Sequence, residues 1–334
     1  MNIAIVGATG NVGRKLLEVI EKLNFKFSEL YLIASDKSKG KKISFKNKDY
    51  SIVGLGDFDF SKVQIAFFSA GSSIAEKWAP IAAKKTIVID NSTHFRMDKD
   101  VPLVVPEVNP SSLAMFKKKN IIANANCSTI QLVLALKPLH DEFKIKRVVT
   151  STYQSVSGAG KNHMMELEDQ TKSVLENKKV KSKNFTKQIA FNVIPHIDSF
   201  MADGSTKEEW KMVVETKKIL DPSINLTATC VRVPVFVGHS ESVNIEFENN
   251  IDLEKIKNCL TNAHGCKVVD EHKDGGYITP AEIDGDFITY VSRIREDKTQ
   301  KNSINMWVVS DNLLKGAALN AVQIANVLIK KYIN

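Results

Sequence analysis

Apolar residues in the first third of the chain form short unbroken runs separated by amphipathic segments. The runs are NIAIV (2–6), LYLIAS (30–35), QIAFFSA (64–70) and TIVID (86–90). RKLLEVIEKL follows the first run and places Leu16, Leu17 and Ile20 at helical spacing, and the helix-like SSIAEKWAPIAAKK precedes the last. A Lys- and Gly-rich turn with a hairpin is expected over 37–53. Continuously apolar strands that alternate with helices predict a doubly wound parallel sheet.

The pattern changes after IIANANCS. The helix-like TIQLVLALKPL is followed by longer, alternating strands such as NLTATCVRVPVFVG and SVNIEFE, which predict a mixed or antiparallel sheet. ENKKVKSKNFTK (176–187) predicts a solvated loop, and the amphipathic C-terminal run predicts a helix that packs back on the first domain. We therefore predict an α/β protein with a Rossmann-type domain of residues 1–126, completed by a C-terminal helix at 313–334. Residues 127–312 are predicted to form an α+β domain.

Composition narrows the class of protein. The 334 residues are 43% hydrophobic and 25% charged, enough for two cores. There is no apolar run long enough to cross a bilayer and no signal-peptide pattern at the N-terminus, so we expect a cytoplasmic protein without a membrane partner. The net charge of +8 comes almost entirely from lysine. Without a nucleic-acid motif, it indicates a solvated surface and no nucleic-acid partner.

Glycines Gly7, Gly10 and Gly13 follow the first strand directly and open the first helix. Such glycines allow a tight turn and let a pyrophosphate approach the backbone at a helix N-terminus. The spacing differs from the commonest dinucleotide fingerprint, but its place between strand and helix indicates a dinucleotide site. A tight turn without a ligand is the alternative.

The four cysteines show neither a C-x-x-C pair nor metal-ligand spacing, so we expect reduced thiols and no metal site. Cys127 differs from the other three because it immediately precedes an apolar helix, with Ser128 or Thr129 as the expected N-cap. The positive end of a helix dipole lowers a thiol pKa and favours a nucleophile. Nearby backbone N–H groups could also stabilise an oxyanion. A buried structural cysteine is the alternative, and it is our interpretation of Cys230, Cys259 and Cys266.

Two further pairs carry charge or proton-transfer chemistry. His239 follows Gly238 at a strand end, where it could reach a cleft as a general base. Residues seven apart on a regular strand lie on opposite faces, so Arg232 and His239 share one site only if Gly238 breaks the strand; a structural histidine is the alternative. Glu208 and Lys211 are neighbours on a helix face, and on their own they favour a solvated surface pair.

Segments along nearly the whole chain resemble the aspartate-β-semialdehyde dehydrogenases. They are GATGNVG, FFSAG, VIDNSTHFRMD, PLVVPEVN, NCSTIQ, STYQSVSGAG, IAFNVIP, EEWKMVVETKKI, CVRVPVFVGHSES and WVVSDNLLKGAALNAVQIA. The family commonly has NPNCS, where this chain has NANCS. It also commonly has an Arg-Ser-Ala-Gly turn after the second strand, where this chain has Asp-Lys-Ser-Lys-Gly at 36–40.

The resemblance implies a role for each matching residue. Cys127 would be the nucleophile that carries an acyl-thioester, Gln154 would orient the substrate, and His239 would be the acid/base. Arg232 would clamp the substrate α-carboxylate and Glu208 would pair with its ammonium. The residues implied to hold phosphate are Arg96, Asn126 and Lys211. The residues implied to bind the cofactor are Gly7, Thr9, Gly10, Asn11, Val12, Lys37, Ser38, Gly71, Ser157, Gly158 and Asn312.

The activity implied is the NADPH-dependent reductive dephosphorylation of L-aspartyl-4-phosphate to L-aspartate 4-semialdehyde, in the biosynthesis of Lys, Thr, Met and Ile. The N-terminal domain would bind NADP, and residues 127–312 would provide catalysis and homodimerisation. One alternative is another acyl-phosphate reductase, of the N-acetyl-glutamyl phosphate type, whose substrate has no free ammonium to pair with Glu208. A non-catalytic NAD(P)-binding regulator is the other.

Overall fold

The computed structural model describes residues 1–333, which form two compact units. One contains residues 1–125 and the C-terminal segment from Ala317, and the other contains residues 126–316. Within the described residues, the helices are α1 (Asn11–Lys22), α2 (Ser72–Ala83), α3 (Cys127–Phe143), α4 (Lys161–Leu175), α5 (Lys207–Ile219), α6 (Leu253–Thr261) and α7 (Leu319–Leu328). The strands are β1 (Ile3–Val6), β2 (Leu30–Ala34), β3 (Lys42–Phe45), β4 (Lys48–Gly54), β5 (Ile65–Phe68), β6 (Ile87–Asp90), β7 (Leu103–Val104), β8 (Ile121–Asn124), β9 (Ile145–Gln154), β10 (Asn225–Arg232), β11 (His239–Phe247), β12 (Cys266–Val268), β13 (Thr289–Glu296) and β14 (Ser303–Ser310).

The first unit is built on an eight-stranded sheet in the order β3-β4-β2-β1-β5-β6-β8-β7. All neighbouring strands are parallel except β3 and β4, which form the predicted hairpin. The chain passes from β1 through α1 to β2 on one side, and it later returns to β5 on the other side of β1. The carboxyl end of β1 is therefore a topological switch point, the place where open α/β sheets bind ligands.

The C-terminal segment completes this first unit. Helix α7 packs against α1 and β6, and π-helical turns at Leu314–Ala318 and Ile329–Ile333 flank it. Within residues 1–333, no helix combines the length and the apolar character that a membrane span requires.

The second unit is built on a six-stranded mixed sheet in the order β10-β9-β11-β14-β13-β12. Helices α3, α5 and α6 pack on this sheet. The core includes Leu132 and Leu136 from α3, and Val243 and Ile245 from β11. The loop after α4 is mostly exposed, as predicted, but Glu166 anchors it by accepting backbone N–H bonds from Lys183 (2.9 Å) and Asn184 (2.6 Å).

Gly13 holds the start of α1 against the turn that follows β1. A Cβ at this position would lie 2.3 Å from the Gly7 carbonyl oxygen and 2.8 Å from the Ala8 Cα atom. Both are backbone atoms, so the turn would have to move to admit any side chain. The close approach of helix and turn thus depends on glycine at this position.

We expect Gly13→Ala to lower the Tm by at least about 3 °C, because overpacking against backbone costs more than the helix propensity that Ala gains. Gly10→Ala is the matched control, since its Cβ would meet its nearest neighbour, the Gly7 oxygen, at an ordinary 3.4 Å. Thermal unfolding followed by circular dichroism measures both variants. Equal Tm values for Gly13→Ala and the native chain would contradict the packing argument.

Candidate active site

Helix α3 begins at Cys127, and the residue before it provides the cap. The Asn126 side-chain oxygen accepts hydrogen bonds from the backbone N–H groups of Ser128 (3.0 Å) and Thr129 (3.1 Å). The prediction that Ser128 or Thr129 caps this helix was therefore wrong; both lie buried in its first turn. Asn is an equally strong cap, and at Asn126 it has the extended backbone that a cap requires. Cys127 is left partly exposed at the positive end of α3.

The Glu208 carboxylate is the hub of this region. Its Oε1 accepts hydrogen bonds from Asn126 Nδ2 (2.8 Å) and Gln154 Nε2 (3.1 Å), and its Oε2 accepts one from Lys211 Nζ (3.0 Å). Burial by itself raises the pKa of Glu208, but Lys211 and the two amides outweigh it and lower the pKa to about 2. Glu208 is therefore a buried, ionised carboxylate bonded to the residue that caps α3.

Lys211 is held between two acids. Its Nζ donates to Glu208 and to Asp198 Oδ2 at 2.7 Å. Burial lowers the pKa of Lys211, but the two carboxylates raise it further than burial lowers it. Glu208 and Lys211 are only 5% and 7% exposed, so the surface-pair interpretation, which the sequence spacing favoured, was wrong. The spacing correctly predicted that the two residues are neighbours on a helix. Their burial depends on which segments pack over α5.

The side chains of Arg232 and His239 lie close together because the chain between these residues is not a regular strand. Arg232 ends β10 and His239 begins β11, and Gly238 between them has φ +96°, a left-handed conformation that favours glycine. Both side chains approach Gly158, where a Cβ would lie 3.1 Å from His239 Nε2 and 3.3 Å from Arg232 Nη1. The glycine at 158 thus leaves room for the imidazole and the guanidinium to come together.

The His239 ring is fully buried and oriented by its neighbours. Its Nδ1 accepts the Ser155 backbone N–H at 3.1 Å and lies 3.0 Å from the Ser155 hydroxyl. The proton of the neutral ring is consequently on Nε2, which has no hydrogen-bond partner within residues 1–333. Burial, followed by the positive charge of Arg232, lowers the pKa of His239 to about 3. The ring is uncharged at neutral pH.

Asn312 ties together the segments around this histidine. Its Oδ1 accepts hydrogen bonds from the Ser155 hydroxyl (3.0 Å), the Ser157 hydroxyl (3.1 Å) and the Gly238 backbone N–H (2.9 Å). These bonds fix the turn that contains Ser157 and the bend before His239. Both Ser157 and Asn312 were predicted as cofactor contacts, and the structure places them within the histidine network.

The remaining predicted residues belong to the first unit. Gly7, Thr9, Gly10, Asn11 and Val12 lie at the carboxyl end of β1 and the start of α1, with Thr9 and Gly10 exposed. An open helix N-terminus at a switch point fits a dinucleotide phosphate.

Three further positions of the first unit follow other strands. Lys37 and Ser38 lie in a short 3₁₀ helix after β2, and Gly71 caps α2 after β5. Arg96 is buried, and its guanidinium donates to the backbone oxygens of Asn124 (2.9 Å) and Asn91 (2.9 Å).

Sequence reasoning missed three residues that position the site. Ser155 orients His239, Asp198 binds Lys211, and Glu215 Oε2 accepts the Asn126 backbone N–H at 2.6 Å. Ser155 lies inside the STYQSVSGAG motif, so the sequence contained a signal for it. Glu215 lies two turns after Glu208 on α5, at a spacing that also fits a surface position. Asp198 lies in a loop and had no local signal.

Two family models match the chain. "Semialdehyde dehydrogenase, NAD binding domain" covers residues 2–116, and "Semialdehyde dehydrogenase, dimerisation domain" covers residues 136–315. An aspartate-semialdehyde dehydrogenase of Aquifex aeolicus is 53% identical over 333 residues, which is 98% of each chain.

Solved structures of aspartate semialdehyde dehydrogenases also match the chain. Aspartate semialdehyde dehydrogenase II of Vibrio cholerae, complexed with ASA, matches with a TM-score of 0.97 at 49% identity, covering 99% of this chain and 98% of that one. The enzyme from Candida albicans with NADP matches with a TM-score of 0.76 at 28% identity, covering 100% and 99%. The predicted two-domain α/β fold is confirmed. The chain belongs to the aspartate-semialdehyde dehydrogenase family of oxidoreductases.

Proposed function

We propose that the chain is an NADP-dependent, phosphorylating aspartate-semialdehyde dehydrogenase that interconverts L-aspartyl-4-phosphate and L-aspartate 4-semialdehyde through an acyl-thioester on Cys127. In the cell, this step would serve the biosynthesis of Lys, Thr, Met and Ile. The observation that carries the proposal is the buried, ionised Glu208 carboxylate bonded to Asn126, the residue immediately before Cys127. A charged carboxylate and a helix-terminal thiol in one site suit an amino-acid substrate and covalent catalysis.

Cys127 begins the reaction. The helix N-terminus favours its thiolate, which attacks the acyl carbon of the substrate, and the acyl–phosphate bond breaks. Asn126 and Lys211 would hold the departing phosphate. NADPH, when bound, supplies the hydride that reduces the thioester. Collapse of the resulting thiohemiacetal restores the Cys127 thiolate and releases the aldehyde.

His239 assists at the substrate oxygen. Because Ser155 occupies Nδ1, the Nε2–H is the group available to donate to a carbonyl or oxyanion. Burial and Arg232 disfavour a second proton on the free ring. An anionic substrate favours it, since nearby negative charge raises a histidine pKa. The geometry therefore supports a neutral hydrogen-bond donor that becomes an acid/base when the substrate is bound.

Arg232 and Glu208 supply opposite charges for an α-amino acid. Burial lowers the pKa of Arg232, and the negative charge of Glu208 partly restores it, so the two groups interact. Arg232 would bind the α-carboxylate through its planar fork, and Glu208 would pair with the α-ammonium. A substrate with an acylated nitrogen lacks that ammonium, which favours the aspartyl substrate over the N-acetyl-glutamyl type. The residues proposed as catalytic are also held in place by hydrogen bonds, which favours an enzyme over a non-catalytic regulator.

The turn after β2 supports the choice of NADP. Lys37 is exposed beside Ser38, and both would be available to bind a 2′-phosphate. Lys39 is instead paired with Asp57 at 2.7 Å. The Asp36 carboxylate is directed to Gly54, where a Cβ would lie 2.8 Å from its oxygen. The relative from Candida albicans contains NADP, in line with this choice.

We also propose that the protein is a homodimer. The family model for the second unit is named a dimerisation domain. The sheet of this unit has helices on one face, and Tyr153 and Trp307 form an aromatic pair, 5.4 Å apart, on the other. A partner subunit would cover this pair.

We expect Cys127→Ala to abolish the NADP- and phosphate-dependent oxidation of aspartate semialdehyde, because no thioester can form. Circular dichroism and NADP binding should remain native-like. Cys259→Ala, at a partly exposed cysteine on α6, should keep native activity. Iodoacetamide at neutral pH should modify Cys127 first, as peptide mapping would show. Substantial turnover by Cys127→Ala would exclude covalent catalysis at this residue.

Arg232→Lys should lower kcat/KM for aspartate semialdehyde at least about tenfold, because Lys keeps the charge but loses the bidentate fork. Arg295→Lys, at an exposed strand position, is the matched control and should leave kcat/KM unchanged. Steady-state kinetics of both variants provides the measurement. A native value for Arg232→Lys would remove this residue from carboxylate binding.

Lys37→Ala should lower the ratio of kcat/KM with NADP to that with NAD, because the 2′-phosphate loses a cationic partner. Lys41→Ala, an exposed lysine just beyond the turn, is the control. The ratio is measured for the native chain and both variants. A native chain that uses NAD as well as NADP, or an unchanged ratio in Lys37→Ala, would assign the pocket to Asp36 and overturn the NADP assignment.

A further inference from the structure

Glu241 is a buried acid that the proposed mechanism does not use. It lies on β11 two residues after His239 and is fully buried, between Thr152 of β9 and Val308 of β14 in the middle of the sheet. Its side chain is on the same face as Val243, the face that α3 covers. Within residues 1–333, no cation pairs with it, and neither carboxyl oxygen meets a neighbouring donor in hydrogen-bond geometry.

Burial raises the pKa of Glu241 well above its ordinary value, and the Gln131 amide opposes this shift only in part. Full burial without a cation partner favours the neutral carboxylic acid over the carboxylate. A neutral buried acid is a hydrogen-bond donor, a state that some active sites use to hold other groups.

Gln131 is the polar group beside this acid, and it links two elements of the site. It lies on α3 four residues after Cys127, so both are on one helix face. Its Nε2 donates to the His239 backbone oxygen at 3.3 Å. Its Oε1 has no donor within the described residues, so it has a free acceptor position.

We propose that Glu241 is a positioning residue for His239, acting through a chain in which its acid O–H donates to Gln131 Oε1 and Gln131 Nε2 donates to the His239 carbonyl. The chain connects the helix that begins with Cys127 to the strand that begins with His239. It holds the His239 carbonyl, whereas Ser155 bonds the His239 ring and Asn312 bonds the Gly238 N–H. The inference rests on the acid/base role proposed for His239.

Stability alone does not explain this acid. A buried polar group without a compensating charge or a full set of hydrogen bonds is unfavourable, and an apolar side chain of similar size is commonly neutral or stabilising at such a position. Groups that break a local packing rule are expected where function requires them. A positioning role therefore predicts that activity and stability respond to substitution in opposite directions.

The test compares Glu241→Gln with Glu241→Met, whose flexible, unbranched side chain fits a similar volume. Glu241→Met should lower kcat at least about tenfold while KM stays within about threefold, with a Tm equal to or above the native value. Glu241→Gln keeps a neutral donor and should retain at least about a third of native kcat. Glu246→Gln, which removes a carboxylate from an outward position of the same strand, is the matched control and should behave like the native chain.

Gln131→Met provides a second route if Glu241→Met does not fold. It should lower kcat as Glu241→Met does, and the double variant should be no worse than either single variant because both break one chain. Native kcat in Glu241→Met or Gln131→Met would overturn the inference. Equal loss in Glu241→Gln and Glu241→Met would also overturn it, because the amide would then fail to replace the acid.

His239→Asn separates this inference from the proposed function. Loss of kcat in His239→Asn with native kcat in Glu241→Met would overturn the positioning role alone. Native kcat in His239→Asn would overturn the acid/base role of His239, and the positioning inference with it.

Discussion

An ionised carboxylate buried in the second unit is the constraint on which the rest of the site depends. Glu208 keeps its charge without water because Lys211 and the amides of Asn126 and Gln154 surround it. These partners come from α5, from the residue before α3 and from the end of β9. Removing one partner would leave a buried charge poorly compensated, which is strongly destabilising. Satisfying this charge therefore holds Asn126 in place and, with it, the start of α3.

The second unit holds two buried acids, Glu208 on α5 and Glu241 on β11, whose pKa values shift in opposite directions, and their surroundings account for the difference. Glu208 has a lysine and two amides, so its pKa falls to about 2. Glu241 has only the Gln131 amide against the effect of burial, so its pKa rises. The nearby His239 imidazole is uncharged because burial and the charge of Arg232 lower its pKa to about 3. Separated pKa values of this kind assign distinct roles to chemically similar groups.

Sequence patterns predicted the elements well because hydrophobic periodicity reports which face of each element is buried. Both sheets and the start of α3 near Cys127 followed from such patterns. The capping residue did not, because Asn, Ser and Thr have similar preferences and only the backbone conformation decides among them. Burial of Glu208 and Lys211 depends on segments distant in sequence. Their spacing alone therefore favoured an exposed position, although both are buried. Nothing local distinguished Glu241 from an outward-facing strand acid.

The groups that would select the cofactor differ in kind from those that would perform the chemistry. Lys37 and Ser38 lie on a short exposed turn, and Lys39 is already engaged with Asp57. By contrast, Gln154 and His239, proposed to orient the substrate and move a proton, are buried in hydrogen-bond networks whose members are hard to change singly. An exposed turn can change its charges with little effect on folding, since surface substitutions usually cost little. The departure from the family's basic turn therefore lies where the fold can tolerate it, and NADP preference can vary without disturbing the buried site.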